Sequence, residues 1–250
     1  MKQGFIIPVY RHGKTAVVLA ERLAAFGLPV ILVDDGNEAE DRTCLAECAA
    51  QTPGVVLARL EKNSGKGGAV TRGLEQAAEL GLTHVLQIDA DGQHDAGKVT
   101  FFLEESARHP DMIICGYPEF DDSAPRSRVT GRKISNFWAA VVTLSTELKD
   151  VLCGFRVYPV NAALRIARSP FVSKRMGFDP EIMVRLYWNK VFPVFHPIKV
   201  SYSPDGVSSF HVVKDNIQIS WMFTRLCIGM MFRSPVLIIR KIMRRKQDGR

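Results

Sequence analysis

The sequence predicts an α/β fold, a mainly parallel sheet flanked by helices on both faces. Three observations carry that reading. Apolar runs of four or five residues alternate with stretches of helical length through residues 5–115. The runs are solidly apolar, with no polar alternation, as strands buried on both faces require. Acidic and aromatic residues stand where the runs end, which is the edge at which such sheets bind ligands.

The elements follow in order. Phe5-Ile6-Ile7-Pro8-Val9 is a first strand, and residues 15–26 form a helix ended by Gly27. Val30-Ile31-Leu32-Val33 is a second strand, residues 38–51 a helix broken by Pro53-Gly54, and Val55-Val56-Leu57-Ala58 a third strand. A helix over 66–80 stops at Gly81, and the strand before Asp89 follows. Residues 96–108 are helical, and Met112-Ile113-Ile114-Cys115 is a fifth strand. From Tyr117 to Lys133 the pattern lapses into Pro, Asp, Ser and Arg, so a loop is expected there. A helix over 134–148, a strand over 151–158 and short helices over 161–167 and 179–188 come next. Pro193 and Pro197 confine residues 192–202 to an edge strand or extended connection.

A chain of 250 residues, 46% apolar, can bury a substantial core. The division expected is one domain over 1–213 and a helical appendage over 214–250. Charge separates the two. Residues 201–250 hold nine Lys/Arg against three Asp/Glu, leaving 24 against 23 for the rest of a chain of net charge +7. The basic character belongs to the tail, and with no readout motif a nucleic-acid partner is not expected. Five cysteines, odd in number and mostly within apolar runs, read as reduced, packed thiols. Met1-Lys2-Gln3-Gly4-Phe5 enters a strand without a long apolar signal-peptide core, so the body is expected to be cytosolic.

The tail reads as two helices, one from Asp215 to about Arg233 and another with Ser234 as cap and Pro235 as first residue. At 100° per residue Arg225, Arg233, Arg240 and Arg244 share a face. The longest uninterrupted apolar stretch, Leu226 to Phe232, is far below the about 20 residues of a bilayer span. Arginines on one face and bulky apolar groups elsewhere suit the interface of an anionic leaflet, with packing on the domain or on a second subunit as the other reading.

Asp89 and Asp91 end an apolar run one residue apart. Hard oxygen ligands so spaced favour Mg²⁺ or Mn²⁺, especially beside a phosphorylated substrate. Lys66 opens a helix inside Asn63-Ser64-Gly65-Lys66-Gly67-Gly68-Ala69, so its ammonium and the backbone N–H groups there face phosphate in this reading. The Walker A spacing is absent.

Ile7-Pro8-Val9-Tyr10, Val33-Asp34-Asp35-Gly36, the Lys66 segment and Asp89-Ala90-Asp91-Gly92-Gln93-His94 occur in the order seen in family 2 glycosyltransferases of the GT-A fold. Over residues 5–160 the chain most resembles the polyprenyl-phosphate sugar synthases of the dolichyl-phosphate mannose synthase type. That resemblance implies inverting transfer of a sugar from a nucleoside diphosphate to a lipid-linked or otherwise amphiphilic acceptor, and with the basic amphipathic tail the expected place is the cytosolic membrane face. It implies donor binding by Pro8, Tyr10, Asp34, Asp35, Lys66, Asp89, Ala90 and Asp91, and metal binding by Asp89, Asp91 and Gln93. Arg126, Arg128 and Arg132 match the place of cations for an acceptor phosphate, and Arg156 a place near phosphate. Asp179 or Glu181 would serve as base for a hydroxyl acceptor; a phosphate acceptor, already ionised, requires none.

Two departures stand out. Arg11-His12 replaces the usual Asn-Glu after the tyrosine, and Ser203-Pro204-Asp205-Gly206-Val207-Ser208-Ser209 lacks the flanking Arg and Lys of mannosyl-lipid relatives, leaving His211 or Lys214 for that charge. The donor's sugar and base therefore stay open. The competing readings are a sugar-phosphate nucleotidyltransferase and a non-catalytic nucleotide-sugar binding protein at the membrane.

Overall fold

The computed structural model describes residues 1–92, 96–119, 126–200 and 212–248, and of Arg126 and Arg128 it describes the backbone alone. Strands β1 (Gln3–Val9), β2 (Val30–Asp35), β3 (Val55–Leu60), β4 (His84–Gln87), β5 (Ile113–Glu119), β6 (Arg156–Pro159) and β7 (Pro193–Lys199) form one sheet in the order β3-β2-β1-β4-β6-β5-β7. Only β6 runs against its neighbours β4 and β5; the other pairs are parallel. Strand order reverses at β1, with β2 and β3 to one side and β4 to the other, so a cleft opens between the carboxyl ends of β1 and β4.

Side chains alternate across the strands into two cores. Ile6, Ile31, Val33 and Val85 face α3 (Lys66–Glu79), α5 (Arg126–Thr143), α6 (Val160–Ala167) and α7 (Phe178–Trp188). Phe5, Ile7, Leu32 and Leu86 face α1 (Gly13–Ala24), α2 (Ala39–Gln51) and α4 (Val99–Arg108). This two-sided burial is why the strands read as solid apolar runs. The expected strand at 192–202 is the edge strand β7, whose prolines cost no ladder bond on its open side.

Two expectations about the domain fail. The loop expected over 117–133 is strand through Glu119 and helix from Arg126 onward; residues 120–125 lie outside the described set. The strand expected from Val151 starts only at Arg156. Val151 to Cys153 are instead folded around Asp150, whose Oδ1 accepts the N–H of Leu152 and of Cys153 at 3.0 and 2.7 Å.

The tail is one continuous helix, α8 (Val212–Asp248), with Pro235 inside it. Proline removes the donor that would bond the carbonyl four residues back. Here Ser234 Oγ donates to that carbonyl, Met231 O, at 2.9 Å. Met222, Phe223, Leu226 and Leu237 bury against the domain. By length and composition the Asp215–Met243 stretch suffices to cross a membrane, yet it lies along α5 and α7. The arginine face is also turned the other way from the expectation. Arg240 donates to Tyr187 O (2.9 Å) and Trp188 O (3.2 Å), the last carbonyls of α7. Arg233 stacks 4.7 Å from the Trp188 ring centre, and Arg225 donates to Phe171 O at 2.6 Å. Guanidinium groups satisfy the orphan acceptors and the negative end of α7, while large apolar side chains, Trp221, Met231 and Phe232 among them, are exposed. The side chain of Arg244 lies outside the described residues.

Candidate active site

The carboxyl ends of β1, β2 and β4 bring together residues separated by up to 80 positions, and two short polar tethers shape the donor side. Asp34, fully buried at the end of β2, accepts from Asn37 N (2.9 Å), Asn37 Nδ2 (2.8 Å) and Arg59 Nε (2.9 Å). Asn37 Nδ2 also reaches Val9 O, and its Oδ1 accepts the N–H of Arg11 at 2.7 Å. Asn37 thus sews the end of β1 to β2 and holds Arg11 in a left-handed conformation with φ 61°. Tyr10 lies under the Arg11 guanidinium at 5.0 Å, and Pro8 is paired with Val33 inside the sheet.

Asp35 accepts Ser64 N at 2.7 Å, Gly65 N at 3.0 Å and Asn63 Nδ2 at 3.2 Å, pinning the loop that launches α3. Burial pushes its carboxyl up to about 6, against the opposing pull of the two backbone donors. Both carboxylates expected to meet the nucleoside are therefore committed to protein groups in this structure. Asn37 and Arg59 were missed in the sequence, although Asn37 two residues after the Asp pair is a common turn signal.

Gly65, at φ 82°, approaches so close to Lys174 that a Cβ would stand 2.6 Å from its carbonyl oxygen. That carbonyl accepts the N–H of Gly67 (2.9 Å) and of Gly68 (3.3 Å). The N–H groups of Gly67 and Gly68, expected to face phosphate, are capped by Lys174 O, which leaves the Lys66 side chain as the group at this helix start able to meet an anion.

Lys66 is where distant elements converge. Its Nζ lies 2.8 Å from Asp89 Oδ2, just past β4, and 2.8 Å from Asp179 Oδ2, in the first turn of α7. Burial disfavours the ammonium, but the carboxylates of Asp179 and Asp89 outweigh it and hold the Lys66 pKa above its usual value. Gln87 Nε2 lies 3.3 Å from Asp89 Oδ1. A Cβ at Gly154 would collide with the Asp89 carboxylate, so this glycine lets the segment leading into β6 pass beside it.

Asp91 is exposed beyond Asp89, and Ala90 between them is buried. Among the described residues no group of three His, Cys, Asp or Glu side chains forms a complete cation cage. The donor set still fits Mg²⁺ or Mn²⁺, because such ions take one or two carboxylates and fill the rest with water and substrate oxygens. Gln93 and His94 lie outside the described residues, as do His211 and the 203–209 segment; of Lys214 only the backbone is described.

Three expected site residues sit elsewhere. Arg156 is fully buried; its guanidinium donates to Val151 O (2.8 Å), Asp179 O (3.0 Å) and Tyr158 Oη (3.3 Å), and lies 3.6 Å from Asp179 Oδ1. It stands behind Asp179 instead of facing solvent and phosphate. Glu181 is fully buried and points away from Lys66. Two positions along the helix turn it about 200° from Asp179, and it accepts from Ser173 N and Oγ, Arg185 and Arg225. Arg132, on a helix instead of a loop, is paired with Asp150 at 2.6 Å, tying α5 to the turn before Gly154.

Curated relatives include a dolichyl-phosphate beta-glucosyltransferase of Dictyostelium discoideum, 29% identical over 63% of this chain and 50% of that protein. They also include an undecaprenyl-phosphate mannosyltransferase of Micrococcus luteus, 26% identical over 72% of this chain and 75% of that one. A third, from Methanococcus voltae, is a UDP-N-acetylglucosamine–dolichyl-phosphate N-acetylglucosaminyltransferase, 23% identical over 90% and 95%. The chain thus spans half the length of the first and nearly all of the last. Among solved structures, S. aureus TarS residues 1–349 in complex with UDP matches in fold with a TM-score of 0.59 at 17% identity, over 90% of this chain and 65% of that one. The fold is GT-A. The model of Glycosyl transferase family 2 matches residues 5–166, from the first strand through Lys66, Asp89, Asp91 and Arg156, and the chain belongs to that family.

Proposed function

We propose that this protein transfers a sugar from a nucleoside diphosphate to a polyprenyl-phosphate-type lipid, with the anomeric centre inverted in one in-line displacement. The observation that carries the reading is Lys66 between Asp89 and Asp179 at the carboxyl ends of the strands. Relatives of this chain are named for dolichyl and undecaprenyl phosphate, which supports a phosphate acceptor.

In the reaction an acceptor oxygen bonds to the sugar C1 as the bond from C1 to the donor diphosphate breaks. The electron pair leaves with the nucleoside diphosphate, where negative charge accumulates. Lys66, at the edge of the cleft, is the side chain able to swing onto that charge and stabilise it. Asp89 and Asp91 would hold the divalent cation, which when bound neutralises the same diphosphate. Arg156 fixes Asp179 from behind, so Asp179 keeps one orientation toward the cleft. A lipid phosphate is already ionised, and Asp179 then positions Lys66; with a hydroxyl acceptor it would take the proton.

The location proposed is the cytosolic face of a membrane, through the outward side of α8. Trp221, Met231, Phe232, Ile239 and Ile242 are all more than half exposed there, and an apolar face of this extent suits insertion at the interface.

The test is a panel of UDP- and GDP-sugars with Mg²⁺ or Mn²⁺ and undecaprenyl or dolichyl phosphate, read as lipid-linked sugar. Formation of a lipid-phosphate sugar with one donor is the expected result. Nucleotide-sugar synthesis from a sugar phosphate and a nucleoside triphosphate, or no product from any donor, overturns the reading.

A further inference from the structure

Resting on that reading of the site, we infer that Lys66 acts as a resident counter-ion that keeps the divalent cation out until the donor diphosphate arrives. Its ammonium lies 2.8 Å from Asp89 Oδ2, the carboxylate expected to hold the metal, and 2.8 Å from Asp179 Oδ2. A cation bound to Asp89 at about 2.0–2.1 Å would sit within a few ångströms of that ammonium, and the two positive charges repel. The Lys66 side chain is a quarter exposed, so the pair is too shielded from water for the repulsion to be screened away.

Two further carboxylates lie on the elements around Lys66, and both are already engaged. Asp35 is taken up by the 63–65 loop and Glu181 by Arg185 and Arg225. The donor diphosphate supplies the missing alternative. When it enters, Lys66 can leave Asp89 for a phosphate oxygen, and Asp89 becomes available to the cation. Asp179 does not lose all compensation in that exchange, because Arg156 stays 3.6 Å from its Oδ1. Gly154 leaves room for the Asp89 carboxylate beside its own backbone, just ahead of β6. Cation and diphosphate then bind cooperatively, each raising the affinity of the other by the same factor. The consequence is that the cation occupies the site only together with the donor diphosphate.

Mn²⁺ alone is the probe, titrated into the full-length protein by calorimetry, so no donor or turnover is needed. Lys66→Met keeps the length of the side chain and removes the charge. It should bind Mn²⁺ at least about tenfold more tightly than wild type, within the range usual for coupled sites. Lys66→Arg retains a cation and should stay close to wild type. Asp89→Asn placed in the Lys66→Met background should abolish the gain, which locates it at this carboxylate. Lys66→Gln serves if circular dichroism shows Lys66→Met to be unfolded. A neutral Lys66 variant that is folded and binds Mn²⁺ no more tightly than wild type overturns the inference, as does a gain that survives Asp89→Asn. Absence of transfer in the donor panel with the Mn²⁺ gain intact would sink the functional reading and leave this one standing.

Discussion

Arg225 of α8 places Nη2 3.3 Å from Oε2 of Glu181 on α7, deep enough that the carboxylate has no exposure to solvent. The same guanidinium bonds Ser173 Oγ and Phe171 O, and Glu181 bonds Ser173 N and Oγ. The next residue, Lys174, caps Gly67 and Gly68 at the start of α3. One buried carboxylate therefore links the tail helix to the helix that carries Lys66.

Removing that carboxylate leaves two guanidinium groups facing each other without their acceptor. Glu181→Ala is expected to cost about 3–5 kcal/mol of folding stability, the usual penalty for breaking a buried ion pair from one side. Urea unfolding measures it. A loss below about 1 kcal/mol would mean that the cluster is not a structural clamp.

Asp179 separates acceptor chemistries. With a hydroxyl acceptor, Asp179→Asn should lower kcat by a factor of about 10²–10⁴, the usual contribution of a general base. With a lipid phosphate acceptor the loss should be much smaller, because only the hold on Lys66 is weakened. Equal losses with both acceptors would remove the base role.

The outward face of α8 predicts membrane binding through apolar residues, not arginines. Phe232→Asp with Ile239→Asp should lower co-sedimentation with phosphatidylglycerol vesicles at least about tenfold, since each fully buried side chain of this size is worth about 1.5–3 kcal/mol. Point substitutions are the better probe than deletion of the tail, which would strip Met222, Phe223 and Leu226 from the core. Unchanged sedimentation of the double variant would rule out this face as the membrane surface.

Asp35 predicts a pH dependence with a definite sign. Its carboxyl titrates near 3.8 in the unfolded chain and near 6 when folded, because burial disfavours the charge. Between those values the unfolded chain releases its proton first, so stability falls as pH rises through that window. The cost is absent below about pH 3.8 and complete above about pH 6, where it reaches at most about 3 kcal/mol. Asp35→Asn should flatten this segment of the stability–pH curve. A wild-type curve with the same slope as the variant between pH 4 and 6 would contradict the assignment.

Much of the architecture was legible because local physics dictated it. Ile6-Ile7 and Val30-Ile31-Leu32-Val33 read as doubly buried strands, and the glycines after the first and third helices marked where those helices stop. Asp34-Asp35 and Asp89-Asp91 stood out for the same reason: charges at the end of an apolar run have to lie at the rim of the sheet. The reach of β5 through Glu119 and the start of α5 at Arg126 were not legible. Residues 117–133 are rich in turn formers, and it is pairing with β7 and packing on α8 that override those preferences.

By itself the sequence determined the alternation of buried strands and helices over residues 5–115, the family resemblance and the acidic pairs around which a donor site can form, because periodicity and strand-end charges are local properties. Only the tertiary structure decided which partner each charge takes. It gave Glu181 to Arg185 and Arg225, Arg132 to Asp150, and the tail arginines to the carbonyls and ring at the end of α7. It also set Lys66 between Asp89 and Asp179, residues 23 and 113 positions away along the chain. A side chain's partner is fixed by which helices pack together and which way each one faces, and that follows from the whole core.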